Sequence, residues 1–171
     1  TKLFTTAIVL NLVAQQKLQL DDPLEKYLPS DVLNGLHVYK GQDYSRKLTI
    51  RHLLAHTSGL PDYFQGKGAN GQSLEDALTG GQDQTWTFAQ VLAINRTMTP
   101  LFAPGTKGKA HYSDTNFQLL GQIIERITQK TFAAACEDLI IKPLGLSKTY
   151  LYQDPTDNRP KNLYYKDRPL P

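Results

Sequence analysis

The strongest apolar segment of the chain lies at its beginning, LFTTAIVLNLVA at positions 3–14. When these positions are placed on a helix, apolar side chains occur on every side and only two threonines and one asparagine interrupt them. A helix without a polar face is stable when other elements surround it. The pattern therefore predicts an interior helix covered on all sides.

The second clear pattern predicts an amphipathic helix over about 115–128. Its apolar positions follow the helical spacing: Phe117, Leu120, Ile123, Ile124 and Ile127. The opposite side carries polar residues: Gln118, Gln122, Glu125 and Arg126. One face of this helix is thus expected to be buried and the other to remain in contact with solvent.

Weaker patterns predict further helices over about 21–28, 49–58, 74–78, 85–98 and 132–141. Thr49 is a candidate cap, and proline or glycine follows several of these segments. Residues 36–47 are polar and are expected to form an irregular surface segment, without a convincing β-hairpin signal. The covered part of the chain is therefore predicted to be mainly α.

Composition narrows the function classes. The chain has 171 residues, a net charge of +3, 40% hydrophobic and 20% charged residues, values typical of a globular domain or a large part of one. Its 19 basic residues are dispersed, which argues against nucleic acid as the main partner. A single cysteine, Cys136, allows no internal disulfide. The longest apolar run, Ala7–Leu10, is far shorter than the roughly 20 residues that a membrane span needs.

Candidate chemistry is concentrated between positions 101 and 121, where a glycine-containing loop leads into the amphipathic helix. Tyr112, Ser113 and Asp114 place a phenol, a hydroxyl and a carboxylate at a helix N-terminus, which exposes unpaired N–H groups. An ordinary explanation also exists. Ser113 or Asp114 can serve as an N-cap, and Tyr112 can be a half-buried aromatic residue.

Lys2 has two interpretations as well. An ammonium at the N-terminal end of a buried helix meets a positive dipole potential and poor solvation, and both favour the neutral amine. A neutral lysine can accept a proton from a nearby hydroxyl group. Alternatively, Lys2 is a solvated charge near a chain terminus.

The histidines allow two chemical interpretations. His52 and His56 have the spacing of a metal-binding pair, but Leu53 occupies the position of the glutamate in HExxH helices, and no third ligand is indicated. His56, Ser58 and Asp62 contain the residue types of a catalytic triad, but no GxSxG elbow accompanies them. A structural role at the helix end is the preferred interpretation, and no metal or other cofactor is expected.

The order of several segments resembles the serine β-lactamase and penicillin-binding-protein-like family, and especially its class C β-lactamases, D-Ala-D-Ala carboxypeptidases and related esterases. The similar segments are Thr1–Thr5, Gln16–Leu24 with Tyr27–Pro29, Leu48–Asp62 (LTIRHLLAHTSGLPD), Phe102–Gly105 with Tyr112–Asp114 and Leu119–Gly121, and Pro143–Leu146. Lys2 matches the end of an S-x-x-K motif, and Tyr112 matches the beginning of Y-x-N.

The resemblance implies an α+β fold in which a helical domain packs against a sheet domain built from both chain ends. Residues 1–150 would form the helical domain, and residues 151–171 would connect it to a sheet domain that is mostly missing here. The chain is thus expected to be an excerpt. It does not begin with Met, so a targeting segment can also be absent from it.

The resemblance further implies acyl transfer through a serine ester. The nucleophilic serine would stand three residues before Lys2, outside the printed sequence, and a third motif would follow Pro171, so the fragment is expected to be inactive. Lys2 and Tyr112 would act as a coupled acid–base pair. The expected partner is a small-molecule ester, amide or peptide. A periplasmic or secreted location is favoured by the resemblance, a cytoplasmic one stays open, and so does the oligomeric state.

One position departs from the family pattern. Asp114 stands where Y-x-N has asparagine, and an ionised carboxylate can only accept hydrogen bonds whereas an amide can also donate. Asp114 is expected to hold Lys2 protonated and to modulate the proton network. The hypothesis is that β-lactams are poor substrates. The alternative from another class is a catalytically silent protein that binds peptide or cell-wall fragments or serves as a structural domain.

Overall fold

The computed structural model describes residues 1–68, 71–82 and 84–151, together with the backbone of 164–165 and 168–169. The helices are α1 (Lys2–Ala14), α2 (Ser30–Leu33), α3 (Ile50–Leu54), α4 (Leu74–Thr79), α5 (Phe88–Arg96), α6 (Asp114–Thr128) and α7 (Phe132–Cys136). Short 3₁₀ turns occur at Leu24–Lys26 and Ser45–Lys47, and a π-helical turn at Glu137–Ile141 follows α7. The described part is mainly α, as its sequence predicts.

The core of the molecule is built around α6. This helix packs against α1, α3, α5 and α7, and its apolar face is fully buried at Leu119, Leu120, Ile123 and Ile124. Ile8, Val9 and Leu12 of α1 and Leu53 of α3 complete the same cluster. The predicted amphipathic helix is thereby confirmed, with its start one residue earlier than expected.

The first helix is less enclosed than predicted. α1 buries Ile8 and Val9, but Leu3 is 79% exposed and Leu10 is 48% exposed. Its described partners, chiefly α6, α7 and the turn after α7, cover the buried side. The expectation that α1 is covered on every side is therefore wrong for the described part of the chain. No helix in that part is long and apolar enough to cross a membrane.

Side-chain caps explain several helix boundaries. Thr49 accepts the His52 N–H while the His52 side chain accepts the Thr49 N–H, so the predicted cap is confirmed as a capping box. Thr87 forms the same motif with Gln90, which moves the start of α5 from the expected position 85 to Phe88. A hydroxyl cap at the correct spacing thus outweighs the apolar pattern upstream of it.

The polar segment 36–47 contains a β-hairpin that the sequence did not indicate. β1 (Val38–Tyr39) pairs antiparallel with β2 (Gln42–Asp43). The turn residues Lys40 and Gly41 have φ values of 50° and 77°. Hairpin prediction depends on a turn signature such as Asn-Gly. The turn here has lysine at its first position and therefore does not carry that signature. A second pair, β3 (Tyr164–Tyr165) with β4 (Arg168–Pro169), lies within the proposed connector; the rest of 152–171 lies outside the described residues.

Two loops, which contain residues 57–59 and 101–105, pair through backbone hydrogen bonds. The Leu101 N–H donates to the Gly59 carbonyl (2.9 Å), and the Gly105 N–H donates to the Thr57 carbonyl (2.9 Å). Gly59 has φ +76°, and a Cβ atom at this residue would lie 2.0 Å from the Phe102 carbonyl oxygen. The close approach of the two loops therefore requires glycine at position 59.

Gly59→Ala is expected to lower the free energy of unfolding by about 3 kcal/mol or more, because it adds a backbone collision to the strain of a positive φ. Gly41→Ala is the matched control, since φ is +77° there and no atom lies within 4 Å of the added Cβ. Urea denaturation of the intact protein measures both. Equal losses for the two variants would show that the collision does not contribute.

Candidate active site

Lys2, Tyr112 and Asp114, the three site residues expected from the sequence, come together in the structure. Lys2 Nζ lies 2.5 Å from Asp114 Oδ1, and the Tyr112 hydroxyl donates to the same oxygen at 3.0 Å. Lys2 Nζ also lies 5.3 Å from the centre of the Tyr112 ring. A single carboxylate oxygen thus joins the ammonium and the phenol.

The packing of two helices brings Lys2, Tyr112 and Asp114 together, and this group is called the corner. Lys2 is the first residue of α1 and Asp114 is the first residue of α6. Because the two helices pack against each other, their N-terminal ends lie side by side. The dipole of α6 favours a carboxylate at its first turn, and that carboxylate in turn supplies a partner for Lys2.

The pKa of Lys2 bears on the two interpretations that the sequence leaves open. Burial lowers the pKa of Lys2, but hydrogen bonds and charge from Asp114 and Tyr112 outweigh it, so that the pKa is raised above its ordinary value of 10.5. Of the two interpretations of Lys2, this direction favours the charged ammonium over the neutral amine. It also agrees with the expectation that Asp114 holds Lys2 protonated.

Ser113 is the hydroxyl of the corner, and it faces the interior. It is 0% exposed, and its Oγ donates to the Pro61 carbonyl at 2.8 Å. Although Ser113 occupies the N-cap position of α6, its side chain makes no capping hydrogen bond. It therefore ties the start of α6 to the loop that contains Pro61 and is not placed to attack a substrate.

The segment 56–62 holds the start of α6 in place. His56 Nδ1 accepts the Ser113 N–H at 3.2 Å, and Asp62 Oδ1 accepts the Asp114 N–H at 3.3 Å. Ser58 Oγ donates to Asn116 Oδ1 at 2.7 Å. The three residues of the considered triad therefore each contact the first turn of α6, which is a structural arrangement and not a nucleophilic one.

The two histidines of the considered metal pair are likewise occupied in structural hydrogen bonds. His52 Nδ1 accepts the Thr49 N–H at 3.2 Å, and His56 Nδ1 contacts Asn116 Nδ2 at 3.0 Å. Among the described residues, no group of three or more His, Cys, Asp or Glu side chains is arranged to hold a metal ion.

An open cleft of about 600 Å³ adjoins the corner. Its walls combine aromatic and amide side chains with the ion pair: Lys2, Tyr63, Phe64, Asp114, Phe117, Gln118, Gln122 and Glu125. Gln118 Nε2 donates to the Tyr63 hydroxyl at 3.0 Å, and burial raises the pKa of Tyr63. A neutral Tyr63 therefore faces the cleft. The cleft can therefore hold a partly apolar molecule beside the Lys2–Asp114 ion pair.

The site thus joins a lysine, a tyrosine and a carboxylate at the N-terminal ends of two packed helices. The family model described as Beta-lactamase matches residues 1–171. The chain belongs to the β-lactamase family.

Three similar proteins illustrate the range of this family. A D-stereospecific amidohydrolase from Streptomyces sp. is 38% identical, with a TM-score of 0.65 over 85% of this chain and 41% of that chain. An octameric penicillin-binding protein homologue from Pyrococcus abyssi is 26% identical, with a TM-score of 0.69 over 99% of this chain and 37% of that chain. A protein of Escherichia coli K12, provisionally named a D-alanyl-D-alanine carboxypeptidase, is 32% identical over 87% of this chain and 32% of its own length. The chain thus spans about a third of the length of the curated relatives it matches.

Proposed function

We propose that the intact protein is a serine hydrolase, which transfers the acyl group of an ester, amide or peptide to water through a serine ester. The observation that carries the proposal is the convergence of Lys2 and Tyr112 on one oxygen of Asp114. Hydrolase relatives in the same family support it. No cofactor is required, because the nucleophile and the proton relay are side chains.

The nucleophile belongs to the residue three positions before Lys2. α1 begins at Lys2, and a helix continued upstream by one turn places that residue on the same face as Lys2. A serine there would lie next to both Lys2 and Tyr112. Lys2 and Tyr112 are therefore the catalytic residues of the proposal, and Asp114 belongs to the same proton network as the group that holds the relayed proton.

The proton relay balances without an external base. As the serine oxygen attacks the carbonyl carbon, its proton moves to the Tyr112 oxygen, and the Tyr112 proton passes to Asp114 beside the Lys2 ammonium. The Lys2–Asp114 pair changes from net neutral to one positive charge. Tyr112 then donates its proton to the leaving group and recovers the proton from Asp114. Water repeats the sequence to hydrolyse the ester.

The domain organisation is part of the same proposal. Residues 1–150 form the helical domain, and 151–171 lead toward a sheet domain that carries the third motif and an oxyanion donor. The exposed apolar side chains of α1, Leu3 at 79% and Leu10 at 48%, support a further packing partner on that side. Large apolar side chains that are exposed on a helix without a polar face mark a surface that another element covers. We therefore expect them to be buried in the complete fold.

The proposed substrates are small neutral esters, amides or peptides. The cleft beside Asp114 is lined by Tyr63, Phe64, Phe117 and Gln118, which favour apolar groups and peptide-like hydrogen bonding. The relatives named for D-stereospecific amide hydrolysis and for D-alanyl-D-alanine carboxypeptidase activity support substrates of D-amino acids. An ionised Asp114 cannot donate to an acyl carbonyl, so β-lactams are expected to be poor substrates.

Labelling of the full-length protein with a fluorophosphonate tests the proposal. Covalent labelling is expected at the serine three residues before Lys2, located by mass spectrometry of the labelled peptide. An intact, folded protein that does not react would refute the hydrolase. That result would favour the alternative, a catalytically silent protein that binds peptides or cell-wall fragments.

Asp114→Asn is expected to leave ester hydrolysis within about threefold of the wild type or to improve it. Without the carboxylate, the pKa of Lys2 falls, and a neutral Lys2 beside the introduced amide can take the Tyr112 proton with the same change of charge. Values of kcat/KM for an ester and for a cephalosporin measure the effect. A collapse of esterase activity in the variant would show that the carboxylate itself is required. Efficient cephalosporin turnover by the wild type would refute the proposal that Asp114 makes β-lactams poor substrates.

A further inference from the structure

Two side chains of the segment 56–62 hold consecutive backbone groups beside the proposed relay. His56 Nδ1 accepts the Ser113 N–H at 3.2 Å, and Asp62 Oδ1 accepts the Asp114 N–H at 3.3 Å. We propose that this pair, the His56–Asp62 clamp, is a positioning device, which sets the directions of the Tyr112 and Asp114 side chains. The inference rests on the proposed function for its kinetic consequences, but its geometry can be tested separately.

His56 contacts both sides of Tyr112. Its carbonyl oxygen accepts the His111 N–H at 2.8 Å, while its ring accepts the Ser113 N–H. The same ring lies with its centre 4.8 Å from that of Tyr112, tilted by 32°. Backbone contacts before and after Tyr112, together with a ring contact at the side chain, restrict where the phenol can point.

This role requires a neutral imidazole in one tautomer. Nδ1 receives the Ser113 N–H and contacts the Asn116 amide at 3.0 Å, so it must carry a lone pair and the ring proton must be on Nε2. Burial and the Lys2 charge, aided by His111, lower the pKa of His56 against the opposing effects of Asp114 and Asp62. The neutral form is therefore favoured at neutral pH.

Asp62 supplies the cap that Ser113 does not. The first N–H groups of a helix have no partner within it, and Asp62 reaches α6 from 52 residues away in the sequence. Its Oδ1 also accepts the Phe64 N–H at 3.0 Å, which ties the cleft wall to the same carboxylate. Asp62 is only 4% exposed, and burial raises its pKa.

Capping a helix with a buried carboxyl group lowers the stability of the fold, because the group loses its contact with water. Asp62 Oδ2 is buried and has no hydrogen-bond partner among the described residues, and such groups reduce stability. Its Oδ1 instead accepts N–H groups both from the start of α6, at Asp114 of the relay, and from the cleft wall, at Phe64. Because displacing a catalytic group by about 1 Å can cost about 10²-fold in rate, a rigid attachment at this point favours turnover.

The kinetic test compares substitutions that keep or remove the acceptor. His56 has φ +55°, which asparagine tolerates, and an asparagine oxygen can accept near the position of Nδ1. His56→Asn is therefore expected to keep kcat within about fivefold, whereas His56→Ala lowers kcat by about 10²-fold with little change in KM. Asp62→Asn and Asp62→Ala are expected to differ in the same way.

Controls separate the clamp from general strain. Gln129→Ala places alanine at another residue with φ +55°, on an exposed site at the far end of α6, and should leave kcat unchanged. Equal losses for the asparagine and alanine variants, or a loss in KM alone, would overturn the clamp. If the alanine variants do not fold, the asparagine variants still decide, because a large loss of kcat in them contradicts the acceptor role.

A direct readout does not depend on activity. Nitrogen-15 spectra of the histidine rings, assigned with His56→Asn, are expected to show the Nε2–H tautomer of His56 and no titration near pH 6.5. An Nδ1–H tautomer, or titration at the ordinary value, would overturn the clamp. A wild-type protein that is not labelled by fluorophosphonate but shows the expected tautomer would refute the proposed function and leave the clamp standing.

Discussion

Tyr112→Phe lowers kcat/KM of the intact protein toward an ester substrate by about 10³-fold, the expected result of removing the group that relays the proton. The phenylalanine keeps the ring contact with His56, whose centre lies 4.8 Å away, but it loses the hydroxyl that donates to Asp114 at 3.0 Å. The loss should appear in kcat more than in KM, since the hydroxyl acts in the transition state and contributes little to ground-state binding.

Steady-state kinetics and the rate of fluorophosphonate labelling measure this loss. Tyr63→Phe is the matched control, because Tyr63 lines the same cleft but hydrogen bonds to Gln118 and not to the ion pair. It should change kcat by less than about tenfold. Retention of more than a tenth of the activity by Tyr112→Phe would contradict the relay.

Lys2→Met is expected to abolish turnover to a similar extent, with a loss of about 10³-fold or more in kcat/KM. The substitution removes the positive charge 2.5 Å from Asp114, so that this charge no longer offsets the negative charge that develops on the substrate oxygen in the transition state. Lys2→Arg should not restore activity, since a planar guanidinium on a longer side chain does not place its charge where the Lys2 ammonium lies. Lys17→Met, at an exposed residue beyond α1, is the control for loss of a charge.

A comparison of the wild type with Lys2→Met also tests how the stability of the protein depends on pH. The pKa of Lys2 is raised in the folded protein, so the stabilisation that it provides is fully present below the unfolded pKa near 10.4 and is lost as the pH rises above it. The difference in unfolding free energy between the wild type and Lys2→Met should therefore be constant from about pH 6 to pH 9 and shrink above about pH 10. A difference that grows with alkaline pH would contradict the assigned direction.

Sequence periodicity was sufficient for the main helices. The apolar spacing over 115–128 predicted α6, which runs from Asp114 to Thr128, and the apolar run at 3–14 predicted α1. Both are local patterns, because neighbouring side chains on one helix determine which face is buried. The motif order also supplied Lys2, Tyr112 and Asp114 as candidates, and the structure places these residues together, although their catalytic roles remain proposals.

Local patterns were insufficient wherever a distant residue decided the outcome. The exposed side of α1, for example, depends on which elements pack there. The helix that contains Lys2 leaves its charge open, whereas Asp114 at the start of another helix raises its pKa. In each case the physical cause lies outside the window in which a pattern can be recognised.

His56, Ser58 and Asp62 show the same limit at the site itself. In the sequence, His56 has the spacing of a metal pair with His52 and the residue types of a triad with Ser58 and Asp62, although a structural role is the preferred interpretation. Only the tertiary structure showed that His56 and Asp62 accept N–H groups at positions 113 and 114, which lie 57 and 52 residues away. The sequence by itself determined the helices and the candidate residues, since periodicity and motif order are local. Packing of α1, α6 and the 56–62 segment decided how those residues meet, because that geometry arises from contacts between parts of the chain that are far apart in sequence.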